Sequence, residues 1–219
     1  ANDPRRSYSQ EFPIFNPAKL NTLNFLPSVS LIYHINKDED APMNLRANFS
    51  ETVARPSIRE LSDMAVYDYT QRYFIVGNPN LKQVQIINYD LRYEWYFKNR
   101  EDFSGGGFYK DFTNHIELVD TNGTLTWRNS NKSYAAGLEI EGKKNIIKNL
   151  DLMANLTFVS SKSTYLNTTH PMFGQAPSLI NAILSYNIDQ IGLTTTLSYN
   201  THGKRFSLLS DNLAILNIY

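Results

Sequence analysis

Apolar and polar positions alternate with period two through most of this chain. In Ile87–Phe97 the odd positions carry Ile87, Tyr89, Leu91, Tyr93, Trp95 and Phe97, while Asn88, Asp90, Arg92 and Glu94 occupy even ones. Side chains alternate across a β-strand, so one face of this segment is aromatic and aliphatic and the other is charged. The same period runs through Val29–Ile35, Met43–Phe49, Leu150–Phe158, Ile180–Ile188 and Leu193–Tyr199. It predicts eight strands: Leu26–Ile35, Met43–Val53, Val84–Phe97, Phe103–Leu118, Leu125–Glu141, Leu150–Ser160, Ser178–Asn187 and Gly192–Thr201. No segment of useful length carries an i, i+3, i+4 apolar stripe, so the expected architecture is all-β and antiparallel with little helix. Two settings suit such strands. A soluble sandwich buries the apolar face in its core, whereas an outer-membrane barrel turns it to lipid and the charged face to an aqueous lumen.

The connections separate these settings. Asn36–Pro42, Lys98–Asp102, Lys143–Asn149 and Ile188–Ile191 are short and polar; Ala54–Gln83, Val119–Thr124 with its flanks, Ser161–Pro177 and the stretch after Asn200 are long. Alternate connections of an antiparallel meander fall at opposite ends, so the short turns are expected at one end and the long loops at the other. Membrane barrels have this asymmetry, with short periplasmic turns and long external loops. Trp95, Tyr96 and Phe97 precede a short turn, and Tyr33 and Tyr186 lie near two others, the height of an interfacial aromatic girdle. Asn122-Gly123 between Ile116–Val119 and Leu125–Trp127 is a two-residue hairpin signal, expected to prolong the fourth and fifth strands beyond a bilayer.

Composition narrows the classes. The 219 residues carry 21 Lys+Arg against 21 Asp+Glu, so no basic excess points to a nucleic-acid partner. Cysteine is absent, which removes disulfides and thiolate metal sites. Fourteen Tyr and twelve Phe suit surfaces that are half apolar and half wet. No run is long enough for a membrane helix, Ala1–Gln10 does not read as a signal peptide, and the mean hydropathy of -0.39 leaves a strand-built membrane protein open.

The segments Asn24–Ser28, Asn48–Glu60, Gly77–Lys82, Asn88–Trp95, Gly107–Glu117 and Gly137–Gly142, in this order and spacing, resemble the carboxy-terminal part of the barrel of TonB-dependent outer-membrane receptors, especially those of Bacteroidota-type bacteria. The resemblance implies a barrel of about 22 strands plugged by an amino-terminal domain. It also implies import of a scarce ligand such as an iron-siderophore, cobalamin or glycan, energised through TonB. Expected partners are then the lipid bilayer, the TonB complex through an amino-terminal region, the imported ligand, and a surface lipoprotein. With about eight strands, residues 1–219 read as an incomplete portion of one barrel domain, with plug and remaining strands outside the chain. A secreted adhesin-like β-sandwich and a small passive barrel are the alternatives.

Candidate chemistry is sparse. His34, His115, His170 and His202 lie on separate segments without metal-ligand spacing, and no nucleophile elbow or triad order is present. No enzyme, cofactor or metal site is expected. Gly105-Gly106-Gly107 lacks the Gly-Lys-Ser/Thr run of a phosphate loop, which leaves a bend or a close backbone approach. Asp120–Gly123 reads as a turn rather than a calcium loop. In the barrel reading Asp90, Arg92 and Glu94 line the lumen, with Glu139 and Glu141 as neighbours. Arg55, Arg59, Tyr67, Tyr69 and Tyr73 in the first long loop are the candidate ligand contacts, since Arg and aromatic side chains dominate recognition surfaces.

Overall fold

The computed structural model describes residues 20–36, 38, 40–69, 72–121, 123–165, 168–210 and 216–217. Ala1–Gln10, Asn122 and Asn167 lie outside them. The elements in order are β1 (Ser28–His34), β2 (Met43–Ala54), α1 (Ile58–Leu61), β3 (Ala65–Asp68), β4 (Tyr73–Val76), β5 (Val84–Tyr96), β6 (Asp102–Thr113) and β7 (Ile116–Thr121). They continue with β8 (Thr124–Asn129), β9 (Lys132–Ile147), β10 (Leu150–Tyr165), β11 (Thr168–His170), β12 (Ser178–Ile188), β13 (Leu193–His202), β14 (Phe206–Ser210) and β15 (Leu216–Asn217).

Eight long strands form an antiparallel wall in the order β1-β2-β5-β6-β9-β10-β12-β13, with β11 paired to β10. Each wall strand neighbours the next in sequence, so all four short turns lie at one end and all long connections at the other. The long connections are not structureless. They supply a second sheet, β15-β14-β7-β8-β4-β3, in which β4 pairs with β8 and β14 with β7 in parallel.

Several boundaries differ from the alternation pattern. The expected strand Phe103–Leu118 is two strands, because Asn114 takes φ +60° and turns the chain out of the wall. Leu125–Glu141 is likewise divided between β8 and β9. Ser130 N–H donates to the His115 carbonyl (2.6 Å) and the Asn129 side chain to the Asn114 carbonyl (2.7 Å), closing the exit point. The β7–β8 hairpin therefore joins the outer sheet instead of prolonging the wall. Lys143–Asn149 is mostly strand, since β9 runs to Ile147, and Ser161–Pro177 begins with the last turn-free residues of β10 followed by β11. Ala54–Gln83 contains α1, β3 and β4.

The faces of the wall are inverted relative to a soluble sheet. On β5, Tyr89 is 49% and Leu91 53% exposed, whereas Glu94 on the opposite face is 8% exposed. Nearly all buried apolar side chains lie in or beneath the outer sheet or where the wall meets it, as with Ile75, Leu118, Val119 and Leu125. An aromatic belt crosses β2, β5, β6 and β9 near the long-connection end, with ring centroids of Phe49–Tyr89 at 5.4 Å, Tyr89–Tyr109 at 6.4 Å and Tyr109–Tyr134 at 5.9 Å. Near the short turns Trp95 and Phe97 stack at 4.3 Å. Tyr89 and Trp95 are six residues apart on one strand, roughly 20 Å of rise and close to the height of a barrel's apolar band.

With this face in lipid, Leu91→Lys places a charge near mid-depth and is expected to cost roughly 2–4 kcal/mol in urea unfolding of the intact protein in liposomes; no measurable cost would contradict a lipid-facing wall. In intact cells, a thiol reagent is expected to label Thr168→Cys, at the long-connection end, and to spare Asn99→Cys at the short-turn end.

Candidate functional site

The polar face of the wall is organised by one register. His34, Asn44, Glu94, Ser104, Glu141, Asn155, Asn181 and Asn200 pair in succession, one on each of the eight strands, and every one is polar. Arg46 holds Glu94 through two contacts, Nε–Oε1 at 3.3 Å and Nη2–Oε2 at 3.1 Å. Arg92 lies 3.6 Å from the same carboxylate and reaches over β6 to Ser104 Oγ (2.7 Å) and Glu141 Oε2 (2.9 Å). Gly106 stands opposite Arg92, and a Cβ there would come within 2.9 Å of the Leu91 carbonyl and 3.4 Å of Arg92 Cβ. The central glycine thus permits a close backbone approach where Arg92 crosses. Asn181 donates to Asn155 (2.6 Å), Asn200 donates to Asn181, and His34 Nδ1 contacts Asn44 at 2.7 Å.

At the outer end, α1 is held by a capping box between Ser57 and Glu60. Gly77 packs beneath it: a Cβ would fall 2.1 Å from the Ser62 carbonyl and 2.6 Å from that of Arg59. This contact fixes the first long loop against β4. Of the candidate ligand contacts, Arg55 and Arg59 are exposed, and Tyr67 and Tyr69 form an edge-to-face pair at 5.0 Å. Phe74, opposite Tyr67 on β4, completes this exposed cluster at 5.0 Å. Tyr73 occupies the other face of β4 and packs onto Ile75, Leu118 and Leu125. Phe74 was missed because a four-residue strand leaves too short a pattern to assign its face. Asp120 accepts from the Gly123 N–H (2.8 Å), and Thr121 pairs with Thr124, which makes Asp120–Gly123 a hairpin turn.

Two of the four histidines meet. Glu117 on β7 is 1% exposed, with His170 Nε2 at 3.6 Å from one carboxyl oxygen and His115 Nε2 at 4.0 Å from the other. A buried hydroxyl chain, Ser130–Ser133 at 2.9 Å and Ser133–Ser163 at 2.7 Å, runs beside it. His115 and Glu117 share a face of β7, so half of this cluster was readable as an i, i+2 pair; His170, from the third long connection, was not. Among the described residues no group of His, Cys, Asp and Glu is arranged to hold a metal ion. Burial, with His170 nearby, depresses the His115 pKa to about 4. Burial also raises the Glu117 pKa, opposed by His170, the Ser163 hydroxyl and the Phe173 amide.

A profile of the family described as TonB dependent receptor-like, beta-barrel matches residues 3–214. The chain belongs to that family. Its barrels are outer-membrane receptors and transporters rather than enzymes. No curated protein matches the chain significantly. Among solved structures, the siderophore receptor PirA from Pseudomonas aeruginosa superposes with a TM-score of 0.62 at 19% identity, covering 82% of this chain and 34% of that one. PirA from Acinetobacter baumannii gives 0.59 at 18% identity, over 83% of this chain and 29% of that receptor. The ferric enterobactin receptor PfeA gives 0.58 at 18%, over 83% and 28%. These likenesses establish the fold, an unclosed portion of the receptor barrel. The chain spans about a third of the length of these receptors.

His115 sets a pH dependence at the outer junction. Its folded pKa lies below its ordinary 6.5, so the stability it contributes is fully present above 6.5 and lost as pH falls through about 4. Its share is roughly 3 kcal/mol. Glu117 acts in the opposite sense, favouring the fold below its ordinary range and losing that contribution as pH rises. Because Glu117 opposes it, the His115 contribution is read as a difference: on going from pH 7 to 4, amide exchange in Ile116–Asn129, corrected for intrinsic rates, is expected to accelerate more in the unsubstituted receptor than in His115→Asn.

Proposed function

We propose that this chain is a barrel portion of an outer-membrane receptor that imports a scarce ligand with energy relayed through TonB. The observation that carries the reading is the inverted wall: a bare aromatic and aliphatic face on interior strands, backed by an ion-paired polar face. A secreted sandwich needs the apolar face covered by a second sheet, and the second sheet here caps the end of the wall instead. The Bacteroidota-type assignment rests on the motif set alone.

In this reading Asp90, Arg92 and Glu94 face the lumen, where water or a plug solvates them. The outer sheet forms part of the external mouth, with Arg55, Arg59, Tyr67 and Tyr69 as ligand contacts and Phe74 beside them. Exposed guanidinium and aromatic side chains carried by one loop suit an anionic, ring-bearing ligand. An iron-siderophore fits that chemistry better than cobalamin or a neutral glycan, and the names of the structural neighbours support the same choice. The TonB complex would act through an amino-terminal region, and a surface lipoprotein is a further candidate partner.

The test uses the intact receptor in its native cell. Tyr67→Ala with Arg59→Ala is expected to weaken ligand binding by about tenfold or more, the scale of truncated anchors, with no effect on assembly. Uptake is expected to stop when the proton gradient is collapsed, while surface binding persists. Ligand flux that continues without an energised inner membrane would favour a passive barrel.

A further inference from the structure

The lipid-facing side of the wall is not smooth. Near the short-turn end a groove of about 620 Å³ opens between β5, β6, β9 and β10, within the range of small-molecule sites. Tyr93, Trp95, Phe97 and Phe103 form its aromatic side, and its floor is Gly142 paired with Ala154. Its four strands are interior to the wall, so strands added at β1 or β13 leave it uncovered. Lys144, on the same face as Gly142, lines its short-turn end, and Asp102, Glu141 and Lys143 also belong to the lining. The two turns there are tied together: Lys144 Nζ binds Glu101 at 2.6 Å and Asn145 Nδ2 donates to the Asn99 carbonyl at 3.2 Å. Between them, residues 98–102 and 143–149 carry five basic side chains (Lys98, Arg100, Lys143, Lys144 and Lys148) against Glu101 and Asp102. Lys98 is held by Asp40 of the neighbouring turn at 2.7 Å, and Lys143, paired with Asp102, shares the polar face of Glu141, which leaves Arg100, Lys144 and Lys148 for the lipid side. A second apolar groove, around Gly107 and Ala136 toward the long-connection end, has no basic side chain in its lining.

We propose that the Gly142 groove is a binding site for one phospholipid with an anionic headgroup, its acyl chain in the groove and its phosphate at the basic turns. The inference rests on the membrane reading of the aromatic face. The geometry separates the tasks: small residues remove side chains where a chain must lie flat, and Lys144 with Arg100 and Lys148 stands at the depth of the headgroup. Lys144 is 65% exposed despite its ion pair, leaving ammonium donors for a phosphate. The second groove, without cations, accepts hydrocarbon of any lipid equally.

Brominated acyl chains quench tryptophan on contact, and Trp95 lines the groove. The intact receptor and its Trp95→Phe variant are reconstituted in vesicles containing brominated phosphatidylglycerol or brominated phosphatidylcholine at equal bromine content. The difference between receptor and variant isolates the Trp95 signal. The expected result is an about fivefold preference for phosphatidylglycerol at Trp95, the scale of one basic side chain near an anionic headgroup. Gly142→Leu, which fills the groove, is expected to abolish the preference, as is Arg100→Gln with Lys144→Gln, while Ala136→Leu in the second groove leaves it intact. Equal quenching by both lipids, or a preference that survives Gly142→Leu, overturns the site and leaves the receptor reading standing. Absence of Trp95 quenching by either lipid overturns both.

Discussion

Every strand of the wall contributes a polar side chain to a single transverse row, and the rest of the structure depends on that row being satisfied. A sheet in hydrocarbon has no apolar core to select its register, since its apolar side chains point away from the protein. The selection passes to the opposite face, where Glu94 needs Arg46, and Arg92 needs both Glu94 and Glu141. A slip of one residue in β2, β5 or β9 would move that strand's charges to the lipid face and break the ion pairs they make. The Gly106 position follows from the same constraint, because a side chain directly opposite Arg92 would crowd it, whereas Ser104 two residues along is a partner.

Much of this was legible in the chain. Period-two alternation located the eight wall strands, and the lengths of their connections assigned the two ends. The face reversal was not legible, because alternation is the same whether the apolar side meets a core or a bilayer; the connections and the motif resemblance had to decide. The breaks at Asn114 and Ser130 were hidden for a related reason. Apolar and polar residues continue to alternate through Ile116–Val119 and Leu125–Trp127, and only the positive φ of Asn114 reveals that the strand has changed sheets. β3, β4 and β11 are three or four residues long, too short to show a period; β3 and β11 are local hairpin partners of β4 and β10, while β4 is held by β8, far away in sequence. The Glu117 cluster escaped for the same cause, since His170 reaches it from another loop. Tyr73 and Tyr69 carry the same side chain on the same loop, yet one is packed and the other bare, a distinction made by the β4 pairing alone.

Two chemistries of burial thus meet at one boundary. The wall keeps polar groups together and exposes hydrocarbon, while the outer sheet packs Ile75, Leu118 and Leu125 inward like a small soluble domain. Glu117, His115, His170 and the three serines occupy the junction where one arrangement gives way to the other. A buried polar cluster is costly unless its members partner one another, and this one sits at the start of β7, where the chain leaves the wall for the outer sheet.

The parallel pairings of the outer sheet also order events in time. β4 meets β8 and β7 meets β14 across long stretches of chain, so their alignment is set only after the intervening wall strands have closed the distance. Contacts of such sequence separation form late in folding, because loop closure must precede their gain. The two parallel joints are therefore expected to close on a wall already aligned, while the local β3–β4 and β7–β8 hairpins can form before it.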